Sequence, residues 1–270
     1  MKVYLMTDLE GVAGVLNAQD YLDLNGPYYA LAKELLTMEA NAAIDGFFAG
    51  GADEIVVQDG HGEGGINQLL LDPRAKLQRG WDGPGGGYYP HGLDESYDVI
   101  AWVGQHPKSG TEFGHLCHTG SFGVLDFQIN GISVGELGKQ LFLANTFGVV
   151  PIFASGCLAL TKEARHFVEG IETVAVKEGV RSGTGDECTA EAYSLRNSGA
   201  IHLHPQVARK LIREGAERAM RRYLNDPASF RPMKISAPYS KKITTRDSAK
   251  NKGSVYEKSG FDDLALLLNS

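Results

Sequence analysis

Three short runs of this 270-residue chain carry the side-chain types that hold metal ions. Asp8-Leu9-Glu10 follows the apolar run KVYLMT at 2–7, Asp59-Gly60-His61 follows EIVVQ at 54–58, and Gly104-Gln105-His106 follows DVIAWV at 98–103. Side chains alternate across a strand, so an i, i+2 acid pair puts the carboxylates of Asp8 and Glu10 on one side. Two like charges that close raise each other's pKa unless a cation lies between them. Glu136 opens a later helical pattern, and with it two histidines and three carboxylates form a mixed nitrogen and oxygen set suited to one or two zinc ions. Each piece also has a plainer reading: the acid pair as a solvated strand end, Glu136 as a partner for the helix dipole, either histidine as a satisfied loop residue. Their joint placement after three strands, each in a Gly-rich turn, points to a metal site.

Ligands of open α/β sheets bind outside the carboxyl ends of the strands, so the elements that carry these runs matter. Strands are expected at 2–7, 54–58, 98–103, 149–154 and 173–177. A helix opens at Pro27, with Leu31, Leu35, Met38 and Ala42 at helical spacing, and closes at Gly50-Gly51. Asn130-Gly131 inside DFQI-NG-ISV (126–134) is a strong hairpin signal. A charged amphipathic helix is expected at 206–223 with Val207, Leu211, Ala216 and Met220 inward, and a short last helix at 261–268. The fold class is α/β: three layers, a mostly parallel sheet with helices on both faces, an antiparallel hairpin and a small C-terminal α+β portion. No repeat or linker is visible, so residues 1–270 read as one α/β domain, with 225–270 a strand-and-helix extension.

Composition narrows the function. Lys and Arg number 26 against 33 Asp and Glu, a net charge of −7, which leaves no basic excess to neutralise nucleic-acid phosphates. Glycine is abundant at 34 of 270, as expected for many tight loops around a site. Lys139 and Lys162 bracket 22 uncharged residues, a length that would span a membrane, but Asn145, Gly148, Pro151 and Gly156 divide it into a helix end, a turn and a buried strand. Three cysteines, none in a CxxC, suit a reducing compartment, and MKVYLMTD lacks the apolar stretch of a signal peptide, so a cytoplasmic location is expected.

MTDLEG (6–11), DGHG (59–62), VGQH (103–106), a histidine-containing loop ending in FGV (122–124), INGISVGELG (129–138) and VAVKEGV (174–180) together resemble the zinc-dependent, self-compartmentalising D-aminopeptidase family. The motifs run in order from residue 1 to about 180. The resemblance implies two zinc ions per subunit, with Asp8 as bridging ligand, Glu10 and His61 completing one site, and His106 and Glu136 the other. It implies a catalytic histidine four residues before FGV, here His118, and a homodecamer of two stacked pentameric rings whose interior admits short peptides. The implied reaction is hydrolysis of the N-terminal peptide bond by a metal-activated water.

Some stretches depart from that pattern or compete with it. Residues 79–92 (RGWDGPGGGYYPHG) are unusually rich in glycine and aromatics, and Trp81, Tyr88 and Tyr89 read either as a lid or as a self-packed loop. Residues 181–204 look like an insertion, and Ser155-Gly156-Cys157 stands where relatives carry an acid. His202-Leu203-His204 has metal-like spacing but no nearby acid, so a structural role is expected. Asp59 is expected to support a metal histidine rather than to ligate. His115 shares the loop of His118 and is expected to pack, and Cys117 is unnecessary as a nucleophile. Lys177 and Arg181 keep open a hydrolase of another small amide or phosphoester, and a non-catalytic small-molecule binder is the remaining alternative.

Overall fold

The computed structural model describes residues 1–80, 83 and 87–270. In chain order the elements are β1 (Lys2–Thr7), α1 (Ala18–Tyr21), α2 (Tyr29–Gly50), β2 (Glu54–Asp59), β3 (Lys76–Gln78), β4 (Val99–Gln105), β5 (Val124–Ile129), β6 (Ile132–Ser133), α3 (Glu136–Thr146), β7 (Val150–Cys157), α4 (Leu158–Phe167), β8 (Val168–Glu169), β9 (Glu172–Gly179), α5 (Ala190–Arg196), β10 (Ala200–His202), α6 (Pro205–Asn225), β11 (Arg231–Pro232), β12 (Tyr239–Thr245), β13 (Val255–Phe261) and α7 (Leu264–Asn269).

The main sheet runs β10-β9-β7-β4-β1-β2-β3 and is parallel except for the antiparallel edge β10. Its central strands are apolar on both sides because both sides are covered. Val3, Leu5, Val99 and Ala101 enter a core with Leu36, Ile44 and Phe47 of α2 and Ile212 and Met220 of α6. Tyr4, Met6, Ile100 and Trp102 enter a second core with Leu137 and Leu141 of α3, Leu160 of α4 and Leu267 of α7. This is the three-layer α/β arrangement expected from the sequence. A smaller antiparallel sheet, β13-β12-β5-β6, contains the expected hairpin, with Asn130 and Gly131 both at positive φ (49° and 78°). The uncharged stretch 140–161 divides among α3, β7 and α4, and no helix among the described residues is long and apolar enough to cross a membrane.

One expectation about a helix face is corrected, in α6, and α2 buries a different set from the one whose spacing marked it as a helix. In α2, Leu31 and Met38 are exposed and Leu35 and Ala42 half-buried, while Ala32, Leu36, Ala40, Ala43 and Phe47 fill the core. In α6, Ala216 and Met220 are buried as expected, but Val207 and Leu211 are exposed and Ala208 and Ile212 take their place. One residue of rotation, about 100°, separates the two faces. The choice is made by close packing of the two helices: a Cβ on Gly46 would lie 2.2 Å from the Arg213 carbonyl oxygen, so only glycine fits there.

Candidate metal centre

β1, β2 and β4 are neighbours in parallel register, so their carboxyl ends open onto one cavity of about 440 Å³. Asp8, Glu10, His61, His118 and Glu136 line it, together with Gln105, Tyr88, Tyr89, His91, Lys139 and Gln140. Two glycines allow the loops to meet. A Cβ on Gly104 would lie 2.0 Å from the Asp8 carbonyl oxygen, and one on Gly11 would lie 2.2 Å from that of Gln105. Gly104 also has a φ of 75°, which other residues adopt at a cost.

Asp8 and Glu10 do converge, but strand alternation is not the reason. β1 ends at Thr7, and residues 8–10 form a turn anchored by the Asp8 N–H, which donates to the Val103 carbonyl at 3.0 Å. Asp8 Oδ1 lies 3.1 Å from His61 Nδ1, and Asp8 Oδ2 lies 3.5 Å from His106 Nε2. Glu10 Oε2 lies 3.2 Å from His61 Nδ1, and Glu136 Oε1 lies 3.5 Å from His106 Nε2. Donor atoms of Asp8, Glu10 and His61 form one compact group, those of Asp8, His106 and Glu136 a second, and those of Glu10, His106 and His118 a third, each within 4.8 Å. All five expected ligands and His118 are therefore brought together.

His106 donates from Nδ1 to the Pro107 carbonyl (3.0 Å), which fixes its tautomer and leaves the Nε2 lone pair toward the carboxylates. His118 is held the same way: its Nδ1–H donates to the Leu116 carbonyl at 2.9 Å, and its ring stacks on His106 with centroids 4.0 Å apart. Its Nε2 lies 3.7 Å from Glu136 Oε1, which also accepts the Gly120 N–H at 2.8 Å.

The electrostatics describe a cluster that demands positive charge. Burial works against a charged His61, yet Glu10 and Asp8 outweigh it and push its pKa up to about 11. Burial likewise opposes charge on His106, and Glu136, Asp8 and Glu10 raise it to about 10. Burial and the Glu10 charge lift Asp8 to about 8, while the histidines hold Glu10 and Glu136 below the ordinary carboxylate range against the effect of burial. Burial and the neighbouring His106 push His118 down. Buried Glu10 Oε2 and His106 Nε2 have no hydrogen-bond partner, which is unusual inside a protein. Orphaned donor atoms at the centre of a carboxylate–imidazole set fit divalent zinc.

Other expectations resolve around this cluster. Asp59 does not touch a histidine ring; its Oδ1 accepts the Gly65 N–H at 2.7 Å, and it lies 3.7 Å from Arg79, whose guanidinium donates to the His61 carbonyl at 2.8 Å. It shapes the His61 loop through the backbone. His202 Nδ1 accepts the Gly14 N–H and His204 caps α6, so the HxH pair is structural. His115 is fully buried against the Leu16 and Ser198 carbonyls. Cys117 is buried beside the Tyr193 hydroxyl, and burial raises its thiol pKa. Lys177 points away from the cavity, donating to the Val12 carbonyl at 3.0 Å, and Arg181 is exposed, so neither supplies a phosphate-binding cation there. Tyr88 and Tyr89 do border the cavity, whereas Trp81 lies outside the described residues. The stretch 181–204 contains α5 and the edge strand β10.

Two residues at this site were not singled out from the sequence as participants. Gln105 Nε2 donates to Asp8 Oδ2 at 3.0 Å, and its place between Gly104 and His106 in VGQH was the available signal. Lys139, three residues after Glu136, was read only as the edge of an uncharged stretch.

The sequence profile of the D-aminopeptidase family matches residues 1–256. A D-aminopeptidase of Bacillus subtilis (strain 168) is 31% identical over 199 residues, covering 73% of this chain and 70% of that protein. Among solved structures, the Zn-dependent D-aminopeptidase DppA from Bacillus subtilis, a self-compartmentalizing protease, matches with a TM-score of 0.81 at 24% identity. That match covers 99% of this chain and 96% of the other, and at such identity it speaks to the fold.

Proposed function

This chain belongs to the D-aminopeptidase family, and on that premise we propose that it is a binuclear zinc aminopeptidase. Its substrates are short peptides containing D-amino acids, cleaved at the N-terminal peptide bond. The observation that supports two ions best is Asp8, which turns one oxygen to His61 and the other to His106. Asp8 would be shared between the two ions, with Glu10 and His61 holding one and His106 and Glu136 the other. When bound, the zinc pair supplies Lewis acidity for the scissile carbonyl and makes water available as a nucleophile near neutral pH.

His118 then serves as the acid–base group. Its Nδ1–H is committed to the Leu116 carbonyl, so in the neutral ring Nε2 offers a lone pair and no proton. Such a group accepts a proton first and passes it to the departing amine nitrogen. A neutral Nε2 has no hydrogen to offer a developing oxyanion, which favours proton transfer over oxyanion binding.

The cavity, about 440 Å³, suits a short peptide. Exposed Leu31, Met38, Val207 and Leu211 on α2 and α6 support burial against further copies of the chain, in keeping with a homodecamer of two pentameric rings. Three free cysteines suit the cytoplasm, and the acidic balance offers nothing to nucleic acid. The test is a screen of D- and L-aminoacyl amides, short peptides and phosphoesters with zinc-loaded protein of measured metal content. Two zinc ions per chain and release of N-terminal D-residues are expected. Trace metal after zinc reconstitution, or turnover of phosphoesters alone, would reject the reading.

A further inference from the structure

Lys139 lies one helical turn beyond Glu136 on α3 and lines the same cavity. The residue is 7% exposed. Its Nζ sits 5.0 Å from the centroid of the Phe127 ring and 5.8 Å from that of Tyr89, whose hydroxyl accepts a hydrogen bond from it. Among the described residues no carboxylate pairs with it, and Glu136 acts on it only through space. Among the described residues lining the cavity it is the only lysine or arginine. Burying an ammonium group is costly unless an anion meets it, and one neutral hydroxyl with two aromatic faces compensates only in part. A cavity with one such cation and a cluster set up for peptide hydrolysis has a defined place for a substrate anion.

Peptide geometry identifies that anion. Each residue of an extended chain advances about 3.3–3.6 Å, and side chains three apart on a helix start about 5–6 Å apart. With the scissile carbonyl beside His106 and Glu136, the next carboxyl carbon of the substrate falls one residue further, within the span of a lysine based at position 139. In a dipeptide that carbon carries a free α-carboxylate; in a dipeptide amide or a longer peptide it is an uncharged amide. We propose that Lys139 binds the free α-carboxylate of a dipeptide and thereby makes the enzyme prefer dipeptide acids to amides and to longer peptides. The inference rests on the aminopeptidase reading above.

An acidic side chain on the N-terminal residue offers the same carboxylate chemistry, so the experiment separates the two sources. Zinc-loaded full-length protein and its Lys139→Met variant are assayed on D-alanyl-D-alanine, on D-alanyl-D-alanine amide and on D-aspartyl-D-alanine amide. Calorimetry with a phosphinic dipeptide analogue, as acid and as amide, reads binding apart from turnover. The wild type is expected to favour the acid by about tenfold or more in kcat/KM and in affinity, the usual weight of a charge-assisted hydrogen bond. In Lys139→Met both ratios fall to about one, and the aspartyl amide gains nothing over the alanyl amide in either protein. Wild type that binds acid and amide equally overturns the inference without any variant. So does a ratio unchanged in Lys139→Met, or a Lys139-dependent preference for the aspartyl amide. Wild type that cleaves neither acid nor amide brings down the aminopeptidase reading itself, and the inference with it.

Discussion

Asp8, Glu10 and His61 stand on loops that follow adjacent parallel strands, whereas His106, Glu136 and His118 are gathered from a strand end, a helix start and the loop between them. Behind the first three, residues 11–16 are tied down from several sides. The Ala13 N–H donates to Glu39 at 2.9 Å, and Lys177 donates to the Val12 and Val15 carbonyls at 3.0 and 3.3 Å. Of the second three, Glu136 is the open one: its side chain keeps 26% of its exposure, whereas His106 is buried and His118 is held by one carbonyl and by ring stacking. The contrast teaches a division of labour. One half keeps buried carboxylates in place, and the other leaves a single carboxylate, Glu136, open to the cavity.

The strongest way to break that contrast is Asp8→Ala. Removing the residue that faces both histidines should take metal content from two ions per chain toward none and reduce kcat by about 10⁴ or more, since activation of water goes with the ions. Glu10→Ala should weaken mainly one ion. Elemental analysis of the two variants side by side checks this, and an Asp8→Ala protein holding both ions contradicts the bridge.

Next in size is His118→Ala, expected to keep both ions while kcat falls by about 10²–10⁴, the range for a positioned acid–base group. His115→Ala should lose less than about tenfold in rate. Its buried ring packs between carbonyls, so its loss should register in a thermal melt instead. A fully metallated but inactive His115→Ala beside a normal His118→Ala would reverse the assignment.

The smallest effect concerns the support behind Asp8. Burial pushes the Glu39 carboxyl up to about 7, more than the Ala13 N–H and Lys177 pull it down. Its folded pKa thus exceeds the unfolded value of about 4.3, so the folded state holds the extra proton between those limits. The contribution of this group to stability is full below about pH 4.3 and is lost as pH rises through about 7, at no more than about 1.4 kcal/mol per pH unit. Glu39→Gln should flatten that slope in denaturant titrations between pH 5 and 7. Identical slopes in the two proteins would show that the support carries no such charge cost.

Much of this was legible because the chemistry-bearing residues follow apolar runs whose strand character is unambiguous. Strands at 2–7, 54–58 and 98–103 appear with shifts of a residue or two, and each ends where a ligand-type side chain begins. The reason Asp8 and Glu10 converge was not legible, because a turn pinned by Val103 cannot be told from a continuing strand without knowing that β4 lies alongside. The first half of the inward face of α6 was read one residue off, at Val207 and Leu211. In α2, Leu31 and Leu35 sit beside Ala32 and Leu36, so apolar spacing alone admits either face, and the packed Gly46 decides. Gln105 and Lys139 stayed hidden for the same reason: their value depends on what stands across from them.

α3 turns the separation between Glu136 and Lys139 into a matter of helical pitch. Three residues of α-helix rise about 4.5 Å along the axis, and the main-chain hydrogen bonds of that turn hold the interval against movement of the surrounding loops. Changes at Tyr88 or His91 can reshape the cavity and alter which side chains enter. They leave the interval between Glu136 and Lys139 untouched, because it is ruled on a helix.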